Sequence, residues 1–417
     1  MTVLMNKKEE IKNRIDLINR GEVPEGYKKV HGSIIPKDWQ ESPLIDMCTK
    51  RQEKAGCKKL ETLSISAGIG FVNQAEKFGR ELSGEQYKNY TVIRTGDFSY
   101  NKGNSKKYPQ GCIYLLKDRE IAAVPNVFNT FRLYDFYNNE YYMFLFCSGY
   151  LNKQLFKWIN FGVRNDGLLN LYDEDFYKSI LPIPSQQEQE KIAKILNCCD
   201  KVIELKQKLL EEKNKEFIIA INKLIYKNNL KYPIKKIEEV CEILDNKRIP
   251  LNDEERLNIK GSIPYYGANG VLDFINKYIF DEELVLLAED GGHFDEYYKR
   301  PIAQFVKGKS WINNHAHILK AKNKENLYLY FSLVHKNILS ILNGAGRAKL
   351  NQADLKKIKI PYPEDKKQNE IARILSMKEK HIKLLEQELD QYKQLKKALS
   401  QLLLTGIVRI VEVDCEN

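Results

Sequence analysis

An internal two-fold repeat constrains this chain more than any other feature, because a sequence that matches itself at a fixed offset builds the same supersecondary unit twice. The segment Leu181-Pro182-Ile183-Pro184, followed by SQQEQEKIAKIL, returns as Ile360-Pro361-Tyr362-Pro363, followed by EDKKQNEIARIL, at an offset of 179 residues without a gap. Pro182/Pro361, Pro184/Pro363, Gln189/Gln368, Ile192/Ile371, Ala193/Ala372, Ile195/Ile374 and Leu196/Leu375 coincide, as do Gly167/Gly346, Leu171/Leu350, Asp175/Asp354 and Lys178/Lys357 upstream. Further upstream, Leu44-Ile45-Asp46-Met47-Cys48 is similar to Ile237-Glu238-Glu239-Val240-Cys241 at an offset of 193, so the second copy is about 14 residues shorter between these landmarks. Each copy is a mixed globular segment followed by a long helix.

The helices carry the clearest local signal. Stepping alternately four and three residues, the first reads Ile192, Leu196, Cys199, Ile203, Lys206, Leu210, Lys213, Phe217, Ala220, Leu224; the second reads Ile371, Leu375, Lys378, Ile382, Leu385, Leu389, Tyr392, Lys396, Leu399, Leu403. All but two positions in each stripe are apolar, the seam of a coiled coil. Pro184 and Pro363 stand just outside the helix starts, where Ser185 or Asp365 can cap exposed N–H groups. Forty helical residues make a rod of roughly 60 Å. Two stripes of equal length favour mutual packing, and antiparallel pairing would relate the two copies by a pseudo-two-fold axis.

Short β-like runs, Gly111–Leu116 and Glu283–Ala288, alternate with turn signals at Gly103, Gly267 and Gly270. The expected fold is α+β: two tandem mixed α/β domains joined by two long antiparallel coiled-coil helices. The divisions expected are residues 1–31 (an N-terminal helix and connector), 32–184, 185–228 (first long helix), 229–363, and 364–417 (second long helix and tail). A short amphipathic helix carrying Ile11, Ile15, Leu17 and Ile18 precedes the first copy and could dock near the end of the last helix.

Familiar catalytic patterns fail one by one. None of the 13 prolines is adjacent to another, unlike the paired prolines common where methyltransferases hold a base. Gly68-Ile69-Gly70 lacks the third glycine of a nucleotide fingerprint and reads as a turn. Gly308-Lys309-Ser310 has the end of a phosphate loop, but Ala303 stands where its first glycine belongs. His315-x-His317 would point both rings to one face of a strand, yet no adjacent Cys, Asp or Glu completes a ligand set, so a hydrogen-bonding role is favoured and no metal is expected. Eight cysteines show no C-x-x-C pair. The formal charge of +11 permits attraction to phosphate without requiring it. The early charges and the lack of a long apolar run point to a cytoplasmic protein with no membrane partner.

The order of elements resembles type I restriction–modification specificity subunits over essentially the whole chain. The resemblance rests on Ile35-Pro36-Lys37-Asp38-Trp39, the two Pro-x-Pro helix starts, Leu404-Thr405-Gly406-Ile407-Val408-Arg409, and in the second copy IPYYGANGVLDF (263–274), LLAEDGG (286–292) and SWINNHAHIL (310–319). It implies two target recognition domains, each reading half of a bipartite double-stranded DNA site. The long helices would space them and dock two methyltransferase subunits, through which motor/nuclease subunits join. S-adenosylmethionine, ATP and magnesium would belong to those partners, leaving this chain non-catalytic and without cofactor. A recognition subunit of another or orphan modification system is the neighbouring alternative, and a coiled-coil scaffold with an incidental basic surface the distant one.

Reading base edges needs Asn, Gln, Lys and Arg, with aromatics to stack or wedge. The candidates are Tyr100, Asn101, Lys102, Asn104, Lys106, Lys107, Arg164 and Asn165 in the first copy. In the second they are Tyr265, Tyr266, Asn269, Lys309, Trp311, Asn313, Asn314, His315, Arg347 and Lys349.

Overall fold

A computed structural model describes residues 2–79, 84–103, 108–159, 168–227, 232–344 and 348–410. The chain divides into two compact units: residues 1–203 with 391–417, and residues 204–390. The division falls inside both long helices. Each half-helix packs on the domain nearest to it and shares that domain's core.

In the first unit four antiparallel strands lie in the order Cys48–Lys50, Asn129–Leu133, Phe98–Asn101, Cys112–Leu115. In the second the order is Cys241–Ile243, Ala316–Ala321, Leu284–Ala288, Ala303–Val306, again all antiparallel. The repeated sequence thus builds the same sheet twice. Upstream of each sheet a one-turn helix, Leu44–Met47 or Ile237–Val240, leads directly into the first strand. A flanking pair of strands closes each unit, Gln40–Pro43 with Ile180–Ile183 and Ile234–Lys236 with Lys359–Pro361. Beside these sheets the first unit adds the hairpin Leu63–Ser66/Gly70–Asn73, and the second a sheet ordered Gly270–Ile275, Lys260–Gly267, Lys309–Ile312, Phe280–Asp281. Gly68-Ile69-Gly70 is the turn of that first hairpin, with both glycines at positive φ where a Cβ would be strained.

The repeated Pro-x-Pro and glutamine have a physical reason. Gln189 and Gln368 are buried, and each donates from Nε2 to the carbonyl of the second proline, Pro184 at 3.0 Å and Pro363 at 2.7 Å. The carbonyl of the first proline is taken by a tyrosine from the domain: Tyr142 Oη donates to Pro182 O at 3.0 Å and Tyr328 Oη to Pro361 O at 2.8 Å. Carbonyls at these junctions face away from water, and leaving one unpaired costs about 1–3 kcal/mol. The motif therefore fastens each domain to the helix that follows it.

Those helices run over Gln186–Ile221, continued by a π turn at Asn222–Tyr226, and over Asp365–Leu404. Within the first unit Ile192 and Leu196 share a core with Leu399 and Leu403, and Lys396 pairs with Asp200. Within the second, Lys206 Nζ lies 2.7 Å from Glu388 while Phe217, eleven residues on, lies beside Ile374 and Ile382. Advancing along one helix moves backwards along the other, so the pairing is antiparallel. Of the stripe, Ile192, Leu196, Phe217, Ile371, Leu375, Ile382, Leu389 and Leu403 are buried, and Ile203, Leu210, Leu224, Leu385 and Leu399 are half-buried.

The first unit also brings together its two telltale segments. Arg409 forks onto Asp38 (Nη1 to Oδ1 2.9 Å, Nη2 to Oδ2 2.8 Å) and onto Glu188 (Nε to Oε1 2.9 Å), while Trp39 Nε1 donates to Glu188 Oε2 at 3.0 Å. Tyr27 Oη donates to Gly406 O at 2.8 Å, and Arg14 of the helix Thr2–Asn19 reaches Ile407 O. No helix among the described residues is long and apolar enough to cross a membrane.

Candidate nucleic-acid interface

Strand alternation decides which candidate side chains can meet a ligand. On Phe98–Asn101 every second residue enters the core, so Tyr100 is fully buried, stacked on Phe176 at 4.5 Å and donating to Gln110 O at 2.7 Å. Tyr265 is buried on its strand and its hydroxyl accepts from Leu251 N–H at 3.0 Å. Trp311 is buried and donates from Nε1 to Ile249 O at 2.7 Å; Asn313 is buried and accepts the His315 N–H at 2.8 Å. Reading these four as ligand-facing groups is corrected: each supports the fold. Tyr266 is half-buried against the separate cluster of Phe280, Leu284, Leu286 and Ile312. Asn104, Lys106, Lys107, Arg164, Asn165 and Arg347 lie outside the described residues.

The remaining candidates of the second unit gather at the end of the central strand Leu284–Ala288. Residues 289–292 leave that strand as a loop, and three neighbours converge on it. Asn269, at the tip of the Lys260–Gly267/Gly270–Ile275 hairpin, donates to Gly291 O at 2.9 Å, and Gln304 holds the same tip through Gly267 O and Ala268 O. His315 Nδ1 meets Asp290 Oδ1 at 2.6 Å. Lys349 bridges Asp290 through its backbone and reaches Glu289 Oε1 at 3.1 Å. Asn269, Asn314 and Lys349 are exposed and His315 is half-buried, so one edge presents amides, an imidazole and an ammonium to solvent. Lys309 is not among them. It opens the strand that ends near Asn313, about 13 Å away at the usual rise, and its Nζ sits over the Tyr278 ring at 4.8 Å.

The corresponding edge of the first unit is built by the same backbone pairing. Leu169 N donates to Lys102 O at 2.9 Å as Leu350 N does to Glu289 O at 2.7 Å, and Gly103 bridges Leu168 as Asp290 bridges Lys349. Its side chains differ. Lys102 stands where Glu289 stands, and is held by Leu171 O at 3.2 Å and by Asp173. Asn101 is half-buried and accepts from Gly103 N–H at 2.8 Å, closing the turn.

Beneath the second edge lies a charge network whose partners are far apart in sequence. His317 is buried, with Nδ1 2.6 Å from Asp245 Oδ2 and Nε2 2.8 Å from Leu350 O. Asp245 also accepts from Ile318 N–H at 2.9 Å and Gln352 Nε2 at 3.2 Å, and Arg248 pairs with Glu289. Burial pushes the Asp245 carboxyl up, but the His317 bond and charge, the Ile318 amide and Arg248 outweigh it and hold the group below its ordinary value. Glu289 is likewise held low, with burial opposed by Arg248, Lys349 and His317. Asp245, Glu289 and His317 place ligand atoms within 4.8 Å of one another, the spacing a metal would use. Both ring nitrogens of His317 face acceptors, however, and two cations already balance the carboxylates, so these residues fit an internal network and do not fit a metal centre. Only the alternation of His315-x-His317 hinted at it; its partner Asp245 is 72 residues away in sequence. In the first unit the same register position holds Asn129, buried, whose Nδ2 has no partner among the described residues.

Comparison with known proteins places this geometry. The family described as "Type I restriction modification DNA specificity domain" matches residues 36–214 and again 229–394. A putative type I restriction enzyme specificity subunit of Haemophilus influenzae, S.HindORF215P, is 42% identical over 142 residues, covering 34% of this chain and 36% of that one. The putative MjaX specificity subunit of Methanocaldococcus jannaschii is 24% identical over 436 residues, covering 93% and 97%. The chain thus spans little more than a third of the first relative and nearly all of the second. In fold it is similar to the S subunit of the type I system from M. genitalium, with a TM-score of 0.54 at 18% identity over 90% of this chain and 97% of that one. A chain from a type I restriction–modification assembly structure gives 0.57 at 15% identity, covering 90% and 99%. Matched by that family in both of its copies, and carrying the same sheet and the same strand-end edge twice, the chain belongs to the type I restriction–modification DNA specificity family.

Proposed function

We propose that each unit reads one half of a bipartite double-stranded DNA site with its strand-end edge, while the paired helices fix the spacer and dock two methyltransferase subunits. Motor/nuclease subunits join through those partners, which carry S-adenosylmethionine, ATP and magnesium. This chain contributes recognition and no catalytic step. The observation that supports the reading best is the duplicated edge: one backbone pairing occurs twice, furnished with Lys102 and Asn101 in one unit and with Asn269, Asn314, His315 and Lys349 in the other. A shared frame with different hydrogen-bonding groups is what two unlike half-sites require. A rigid spacer serves because flexible tethering of two readers would carry an entropic cost.

The test is Asn269→Ala with Asn314→Ala in the assembled complex, followed by sequencing of methylated sites. One half of the motif should relax, by roughly 1–3 kcal/mol for each bidentate amide–base pairing removed, and the other should stay intact. Relaxation of both halves, or of neither, would sink the assignment of one edge to one half-site.

A further inference from the structure

The second unit holds a cleft of about 370 Å³ that the strand-end edge does not use. Its walls are the end of the first long helix (Ile218, Asn222, Tyr226), the loop residues Tyr297 and Tyr298, and His335, Lys336 and Asn337. Lys336 is the unexplained member. It is half-buried, and its Nζ lies over the Tyr226 ring at 4.8 Å. Among the described residues it has no carboxylate partner. Burial pulls its ammonium below the ordinary lysine value with nothing acidic opposing that pull. A half-buried ammonium that meets a ring and no carboxylate keeps its charge open to an anion entering the cleft.

The donors around it suit an anion. Asn337 Oδ1 already accepts the Leu339 N–H, which leaves the amide NH₂ to donate. The Tyr298 side chain is half-exposed and offers a hydroxyl and a ring edge-on to Tyr297 at 5.8 Å. No residue lining the cleft is acidic. We propose that this cleft is a DNA phosphate subsite of the second unit: the Lys336 ammonium takes a backbone phosphate flanking the half-site, and the Tyr298 ring covers the adjoining sugar. The proposal rests on the reading that this unit binds DNA at its strand-end edge.

Two chain connections favour a nucleic-acid phosphate over the carboxylate of a protein partner. Tyr297 and Tyr298 lie five and six residues beyond Gly292, where the edge loop ends. Asn337 lies six residues before Asn343, which exchanges two backbone bonds of 2.8 Å with Lys349 of the edge. Six residues span at most about 20 Å, which places the subsite within one duplex width of the edge. Lys223 and Lys299, next in the chain to lining residues, add positive charge of the kind a polyanion meets.

The experiment uses the complex assembled with its methyltransferase subunits and a duplex carrying its methylated motif, with affinity measured across a salt series. Lys336→Met keeps the stem over Tyr226 and removes the charge. Affinity should fall about fivefold at 0.15 M salt, and the slope of log K against log salt should shrink by about 0.9, one released counterion. Discrimination between the motif and a mismatched duplex should not change, and Lys336→Arg should restore most of the slope. If Lys336→Met fails to assemble, Lys336→Gln carries the same measurement. An unaltered slope overturns the subsite. So does weakened methyltransferase assembly with an unaltered slope in the complex that still forms, which would assign the cleft to an acidic side chain of the partner. If the wild-type complex shows no sequence preference at all, the reading of the edges falls as well, an outcome distinct from a specific complex whose slope ignores Lys336.

Discussion

Replacing His317 with alanine should loosen the second unit's reading edge from below. The imidazole joins the Asp245 carboxylate at 2.6 Å to the Leu350 carbonyl at 2.8 Å, and Leu350 follows Lys349 on the edge. Without the ring, Asp245 stays buried with Ile318 N–H, Gln352 and a distant Arg248 at 3.7 Å as its partners. Hydrogen bonds to charged groups are each worth about 1.5–3 kcal/mol, and removing one member of a buried ionic pair costs about 3–5 kcal/mol. The larger figure governs, because Asp245 loses its 2.6 Å partner and keeps as its nearest cation only Arg248 at 3.7 Å. In a unit of this size each kcal/mol moves the melting temperature by about 2–4 °C, so a drop of roughly 6–20 °C is expected. Hydrogen exchange should speed at Ile318 and at residues 349–352, while the first unit keeps its protection. His317→Asn, which installs the residue found at that register in the first unit, should fall between wild type and alanine. A change below about 0.5 kcal/mol, within the range of an ordinary surface substitution, would refute the network as a support of the edge. Stripping metal from the wild-type chain with a chelator should leave its melting unchanged, and a large drop would show that Asp245, Glu289 and His317 hold an ion after all.

Two further outcomes follow from the geometry. Gly406 has φ of +67° and a Cβ there would lie 2.5 Å from Pro36 Cγ and 2.9 Å from Trp39 Cζ2; Gly406→Ala should destabilise the first unit by about 2–4 kcal/mol, strain and crowding together, against about 1–2 for Gly21→Ala, where nothing lies within 4 Å. Equal losses in a denaturant titration would show that the terminal segment is not seated against Pro36 and Trp39. Acid should also weaken the second unit: the folded values of Asp245 and Glu289 lie below their ordinary 3.8 and 4.5, so the folded chain binds fewer protons, and the stability they add is complete above those values and lost as pH falls through the folded ones. His317→Ala should shrink that acid dependence, and an identical pH profile in the variant would contradict it.

Period and repetition are properties of the sequence itself, which is why the long helices, the duplication and two of the strands, Cys112–Leu115 and Leu284–Ala288, could be read from it. A stripe stepping four and three residues is a helix seam whatever lies opposite, and Gln189 and Gln368 announce themselves by returning at the same place. Side-chain direction at strand ends is another matter. Tyr100, Trp311 and Asn313 read as base-reading candidates, yet Tyr100 lies in its strand's core-facing row, and Trp311 and Asn313, the residue just after its strand, are buried. Shifting a strand boundary by one residue turns a solvent-facing group into a core one, and sequence places such boundaries only approximately.

The network at Asp245, His317 and Glu289 could not have been read from sequence for a different reason. Its members come from three strands and their following turns, and only the antiparallel register brings Leu287 beside His317 and thereby Glu289 beside the imidazole. The same register in the first unit gives Asn129 beside Tyr100, with Lys102 in place of Glu289. One backbone frame thus carries an ionic support in one copy and a neutral amide near a lysine in the other. A domain whose frame is fixed by backbone pairing, by proline carbonyls and by buried glutamines is free to vary the charges beneath its edge, because those charges set the position and potential of the loop without setting the fold. The two units can therefore present different hydrogen-bonding groups to DNA from the same four-stranded frame, and exchanging Lys102→Glu together with Asn129→His in the first unit would alter the edge while leaving the sheet order unchanged.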